Sequence, residues 1–375
     1  MGQRGDIKMN EFKDENGCVI KQLTGANAFS NNIYCEQPYA SADGRRIAVI
    51  RTDGAHSQTC KLLIIDLEKE IEIPVEPKIS IDGISCCAWG NWLYYIFNKG
   101  NEGVLARVSY KYIAKEIVFF LKDCPMPVSV GSVSPDYRYY INAVYQPRFS
   151  VLRIDLTAKK WEIIHQHPEI LNPHTQFNPV TGKDMLIQHN RGSIMDEKGN
   201  TTRLLGPEGC TLYLLDKDGK NKRELPVGPP HTASCTGHEC FIADTGRILF
   251  SIVPDPNFPG NLLSVAPGDK KPSVVTESPH FLNHVSASKC GNYFVADTLS
   301  EDRSKFLIVM GSIKTGRHRV LCDTGTSVSV DFADWSHVHP YLTADNKRVI
   351  FNSDRTGVPQ VYAAGVDPDF LKSLS

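Results

Sequence analysis

The sequence has no surplus of charge: 41 Lys and Arg stand against 42 Asp and Glu, a formal net charge of −1. Nucleic acid and anionic membrane surfaces normally select a basic excess. Neither partner is expected, and any recognition of anions must be local. No apolar run approaches the roughly 18 residues of a membrane-spanning helix. The amino-terminal MGQRGDIKMNEF lacks the apolar stretch of a secretory signal. The eleven cysteines form no C-x-x-C pair, which removes the usual zinc and dithiol motifs. They are scattered, many within apolar runs, and read as reduced thiols of a cytoplasmic protein. Long segments with helical periodicity are missing, as is the strand-helix alternation of dinucleotide folds. So are a G-x-S-x-G elbow, a phosphate-binding loop and an H-E-x-x-H helix. No Pro/Ser-rich linker divides the chain, so residues 1–375 read as one domain.

What the sequence has is a repeat. A small or polar entry, a turn signal and an apolar strand recur from Ser41, Ser85, Ser134, Asn178, Ala243, Ser286 and Thr343. The steps are 44, 49, 44, 65, 43 and 57 residues. A period in the forties with short strands and Asp/Asn-Gly turns marks β-propeller blades. A second apolar strand follows each start (KLLIIDLEKE, VLRIDLTAKK, TLYLLDKDGK), and most units add a third, such as KEIVFFL or KWEIIHQ. The prediction is an all-β, seven-bladed β-propeller with four-stranded antiparallel blades. The last unit lacks its outer strand, and GCVIKQLTG from Gly17 is expected to supply it and close the ring. The two long steps place insertions near 191–210 and 320–335.

In a propeller, the connection entering each blade opens on one face of the central channel. Read in that slot, the sequence is rich in histidine: His174 with Gln176, His238 with Glu239, His284, and His337 with His339. These are five of twelve histidines. His337 and His339 are two residues apart, which on a strand puts both imidazoles on one face. With His284 from the neighbouring blade they make a plausible divalent-metal set, to which Asp334 would add an oxygen. A second loop set on the same face carries Arg51, Arg148, Arg191, Arg303 and Arg355. Guanidinium pairs bidentately with carboxylate. Arg191 and Arg355 are the two assigned to this role, and an acidic, multivalent small substrate follows.

These segments resemble the oligogalacturonate lyase family: GHE at 237–239, NHVS from Asn283, HVHPYLT from His337, and the downstream DRTG. NNIYCEQPYASADGRR and HTQFNP…HNRG are similar too, so the likeness runs along nearly the whole chain. The resemblance implies a seven-bladed propeller that cleaves short galacturonate oligomers by β-elimination with a divalent metal, typically Mn2+. It implies His284, His337 and His339 as metal ligands and His238 as the general base. His174 and Gln176 would contact the acidic oligosaccharide. The chain departs from the family pattern twice. Asp334 stands where the family has a glutamine, and no arginine is found around Cys210 and Thr211, with Arg191 or Arg203 as substitutes. Two other readings use the same residues: an eliminase for a different uronate-containing oligosaccharide, and a non-catalytic propeller that binds a ligand or partner.

Overall fold

Local chemistry explains why the turns recur. Ser41, Ser134 and Thr343 each donate a hydroxyl hydrogen bond to the aspartate two residues on, at Asp43, Asp136 and Asp345. Each hydroxyl also accepts the backbone N–H five residues on, at Arg46, Tyr139 and Arg348. This side-chain-to-backbone closure favours a turn over continued extension. It starts the next strand at the same offset in each unit.

The structure is a computed structural model and describes residues 5–6, 10–25, 28–54, 57, 59–196, 200–258, 260–278, 280–328 and 336–375. Asp334 lies outside the described residues. Among the described residues the chain is all-β apart from one short helix, Pro368–Ser373, capped by the Asp367 carboxylate. Antiparallel meanders succeed one another. The first contains Phe29–Asn31, Arg46–Thr52, Thr59–Asp66 and Ile71–Ser80. Later ones open with short inner strands at Ser85–Cys86, Gly131–Val133, Gln176–Phe177, Cys235–Phe241, Val285–Ala287 and Tyr341–Leu342. The insertion expected near 191–210 is a separate hairpin, Ile194–Met195 with Thr201–Arg203.

Two features differ from the expected blade pattern. The second and third meanders share one eight-stranded sheet, because Ser85–Cys86 and Gly131–Val133 pair in parallel. Gly131 permits this close approach: a Cβ there would lie 2.7 Å from the Ser85 hydroxyl oxygen. The amino-terminal segment also gives the last sheet two strands rather than one. Val19–Gln22 pairs with Gln360–Gly365, and Glu11–Lys13 pairs with Val19–Gln22.

The core lies in layers between successive meanders. Central strands such as Tyr139–Val144 are buried on both faces, so they read as continuous apolar runs rather than alternating ones. Ile141, Met185, Ile187 and Tyr213 fill the layer between the third and fourth meanders. Leu63 and Ile65 of the first meander pack with Tyr341, Ile350 and Val361 of the last. Ile20 of the amino-terminal strand is fully buried among Val349, Phe351 and Tyr362. Ile20→Ala should therefore lower unfolding stability by about 2–5 kcal/mol, the usual range for emptying an isoleucine site. Urea denaturation checks this, and a loss under about 1 kcal/mol would show that the amino-terminal strand does not hold the last sheet.

Candidate functional site

His337 and His339 lie in the extended segment that enters Tyr341–Leu342. Val338 between them turns into the core at 1% exposure, so its two neighbours turn the other way, as the i, i+2 spacing predicts. Two fully buried asparagines hold the segment. The Asn352 amide donates to the His337 carbonyl (3.0 Å) and the Asn32 amide to the His339 carbonyl (2.7 Å). The two asparagines also bond each other, Asn352 Nδ2 to Asn32 Oδ1 at 3.0 Å and Asn32 N to Asn352 Oδ1 at 2.9 Å.

The structure brings His284, His337 and His339 together, with one ligand atom of each within 4.8 Å of the others. His337 Nδ1 is 3.4 Å from His284 Nε2. On its other side His284 meets Asp297: its backbone N–H donates to Oδ1 and Nδ1 lies 2.8 Å from Oδ2. An ionised carboxylate only accepts, so the His284 proton sits on Nδ1 and the Nε2 lone pair faces the cluster. Burial, then His284, pushes His337 down to about 4, and the same causes hold His339 well below the usual imidazole range. Asp297 stays below the usual carboxylate range because His284 outweighs the opposing effect of burial.

This cluster fits a divalent cation. Three imidazoles converge their nitrogen donors, and a carboxylate fixes one of them from behind. His339 Nδ1 is buried with no hydrogen-bond partner among the described residues. An unmet buried group costs about 1–3 kcal/mol. His339 and His174 also hold left-handed backbone, at φ 45° and 42°, a conformation that costs non-glycine residues on the order of 1–3 kcal/mol and gathers at functional sites.

His238 stands beside the cluster, its ring 4.2 Å from that of His284. Its Nδ1 is 3.3 Å from the Tyr34 hydroxyl and 3.4 Å from Glu36 Oε1. His174 Nδ1 lies 3.3 Å from the same oxygen, and Gln176 donates to Glu36 Oε2 at 3.0 Å. Burial alone would raise Glu36, but His174 and His238 overcome it and hold the carboxyl at about 2. Burial opposes a charge on His174, yet Glu36 raises it above its usual value. Burial, then His284, pushes His238 down to about 4. The arrangement is a Glu36 anion, a readily protonated His174 and a neutral His238. His238 Nδ1 faces both the Tyr34 hydroxyl and Glu36, and a proton held on that nitrogen leaves Nε2 as the basic atom. Glu239 reaches the same group: its Oε1 is 3.9 Å from His174 Nδ1. The ladder is irregular between Cys235 and Glu239.

The arginines are held by different partners. The Arg355 guanidinium stacks over the rings of Phe12 (4.6 Å) and Tyr362 (5.8 Å). Arg191 is half-buried at the turn after Asp184–Asn190, where its carbonyl accepts from Gly206 N. Arg203 donates to the Gly192 carbonyl, and Arg51 pairs with Glu72. Sequence reading missed Asp297, Asn32 and Asn352, and gave Glu36 no role. Asp297 had a usable signal: Val285 pairs with Ala296, which sets Asp297 opposite His284.

The fold and the site define an all-β protein with a histidine-rich candidate metal centre. No protein-family model matches the chain. An oligogalacturonate lyase of Dickeya dadantii (strain 3937) is 27% identical over 417 aligned residues, covering 98% of both chains. A solved structure titled as oligogalacturonate lyase in complex with manganese superposes with a TM-score of 0.75 at 17% identity, covering 99% of each chain. The β-propeller domain of the trilobed protease from Pyrococcus furiosus aligns at a TM-score of 0.53 and 9% identity, over 90% of this chain and 95% of that one. The fold is thus propeller-like. The resemblance to the oligogalacturonate lyase family is borne out across the whole chain.

A pH dependence follows for protein freed of divalent cations. His238 and His337 titrate near 4 when folded and near 6.5 when unfolded. Between these values the unfolded chain binds protons that the folded chain refuses, so stability falls as pH drops from 6.5 to 4. His174 acts in the opposite sense, but it is one group against two, joined by His339. The thermal midpoint should fall through this window. A flat profile would contradict the neutral-imidazole assignment.

Proposed function

We propose that the protein is a metal-dependent lyase that cleaves short oligogalacturonides by β-elimination. One observation carries the reading: a half-buried imidazole, His238, with its Nδ1 3.4 Å from Glu36, lies directly beside the convergent set His284, His337 and His339. These three would hold the cation, most simply Mn2+ given the manganese in the similar solved structure. When bound, such a cation supplies Lewis acidity towards the uronate carboxylate next to the reacting carbon.

The chain's own residues supply the rest. His238 Nε2 takes the proton from C5 of the uronate, the C4–O bond breaks, a C4–C5 double bond forms, and the expelled oxygen takes a proton from water. Glu36 keeps the opposite nitrogen protonated, fixes the ring and stabilises the cation that forms as His238 accepts the proton. His174 and Gln176 were expected to touch the sugar. In this reading they work through Glu36, which both contact. Arg191, at its rim turn, would take a carboxylate of a neighbouring sugar. Arg355 instead braces the last sheet against the amino-terminal strand. Asp334 remains a proposed oxygen donor next to the H-x-H segment.

The same reading extends to architecture and place. The meanders would be the blades of a closed seven-bladed ring, which the packing of the first against the last supports. Nine of eleven cysteines are buried thiols, the usage expected in a reducing compartment, so we place the activity in the cytoplasm.

With di- and trigalacturonate and Mn2+, the protein should generate the ultraviolet absorbance of a conjugated unsaturated uronate, and chelator should abolish it. His238→Ala should lower kcat by about 100-fold or more, the usual contribution of a general base, with metal content unchanged. Full activity of His238→Ala would remove the base assignment. Absence of eliminative product from metal-loaded protein would remove the galacturonate assignment.

A further inference from the structure

A second convergence of donors lies outside this centre. His167, Glu169 and His189 bring one ligand atom each within 4.8 Å of one another. They come from two segments fixed by backbone bonds. His167 follows the strand Lys160–Gln166 and donates its N–H to the Phe149 carbonyl (3.0 Å). His189 lies on the strand Asp184–Asn190, and the next residue's N–H bonds the Glu169 carbonyl at 2.9 Å. The donors are therefore placed by the sheet and not by a free loop.

The side chains are oriented as ligands are. Glu169 uses Oε1 to accept the Gly192 N–H at 2.7 Å, which turns Oε2 towards His189 Nε2 at 3.0 Å. His167 Nδ1 accepts the Glu169 N–H at 3.2 Å, a bond that the ring gives up when it offers this lone pair to an ion. The two imidazole rings are 4.6 Å apart and nearly perpendicular, and an edge of His189 rests on Tyr213. Lys222, over the Tyr213 ring, opposes a cation here, and the Glu169 carboxylate favours one.

We propose that His167, Glu169 and His189 form a second divalent-metal site, separate from the His284 cluster. Two imidazoles and one carboxylate suit a borderline first-row ion such as Zn2+ or Co2+. Binding takes the place of the proton that His189 Nε2 shares with Glu169, and that proton moves to Nδ1 of the same ring, so the neutral imidazole ligates with no net change in protons. The ion clamps the segment 167–169 to the strand Asp184–Asn190. Through Glu169 and Gly192 it also steadies the turn that carries Arg191.

The test is metal content, which needs no substrate and does not depend on the lyase reading. Full-length protein is stripped with chelator, loaded with Zn2+, desalted and assayed for zinc per chain. His167 is partly exposed and Glu169→Gln preserves shape, so both variants should fold, with circular dichroism as the check. His167→Ala and Glu169→Gln should each lose one Zn2+ per chain relative to the unmodified protein. His284→Ala should retain the ion that these two lose. In the Co2+-loaded protein, the visible absorption assigned to this site should disappear in His167→Ala and persist in His284→Ala. Unchanged zinc content in both His167→Ala and Glu169→Gln would overturn the proposal.

Discussion

The buried amide pair of Asn32 and Asn352 is the constraint on which the site depends. Each asparagine bonds the other, and each bonds one backbone carbonyl of the H-x-H segment. One residue lies in the segment entering the first meander and the other in the last, so the pair joins the two ends of the fold where the imidazoles must converge. In a dry interior such bonds are costly to leave unmade, about 1–3 kcal/mol for each stranded group. That cost helps to fix the position of His339 and to sustain its left-handed backbone.

Once the segment is fixed, the chemistry follows from how charge is divided. The four imidazoles nearest the candidate metal centre experience two different environments. His337 and His339 are surrounded by other imidazoles and apolar walls, and they remain neutral donors. His284 and His238 each have a buried carboxylate behind them, Asp297 and Glu36 respectively. The same device serves two ends in the proposed reading: Asp297 would aim a lone pair into the cluster, and Glu36 would keep the His238 base in the required tautomer. His174 compensates the Glu36 charge, so the carboxylate is buried without being unpaired.

Much of this was legible in the sequence because a repeat converts position into space. Five histidines recurring in one slot announced a common site, and the i, i+2 spacing gave the shared face of His337 and His339. The turn chemistry of Ser41, Ser134 and Thr343 was visible as polar entries at a period in the forties. What escaped had no periodic mark. Asn32 and Asn352 act by bonding backbone carbonyls far away in the chain, which no local pattern signals. Arg355 was read from its loop alone, yet stacking on Phe12 required knowing that the amino-terminal segment adds two strands to the last sheet.

The central claim is that His284, His337 and His339 hold one divalent cation beside His238. The most direct measurement is anomalous X-ray diffraction from crystals of the protein soaked in Mn2+. The account predicts a single strong manganese peak bounded by the nitrogens of these three residues, with His238 close by but not a ligand. A peak elsewhere, with the three imidazoles hydrogen-bonded only to one another, would contradict it.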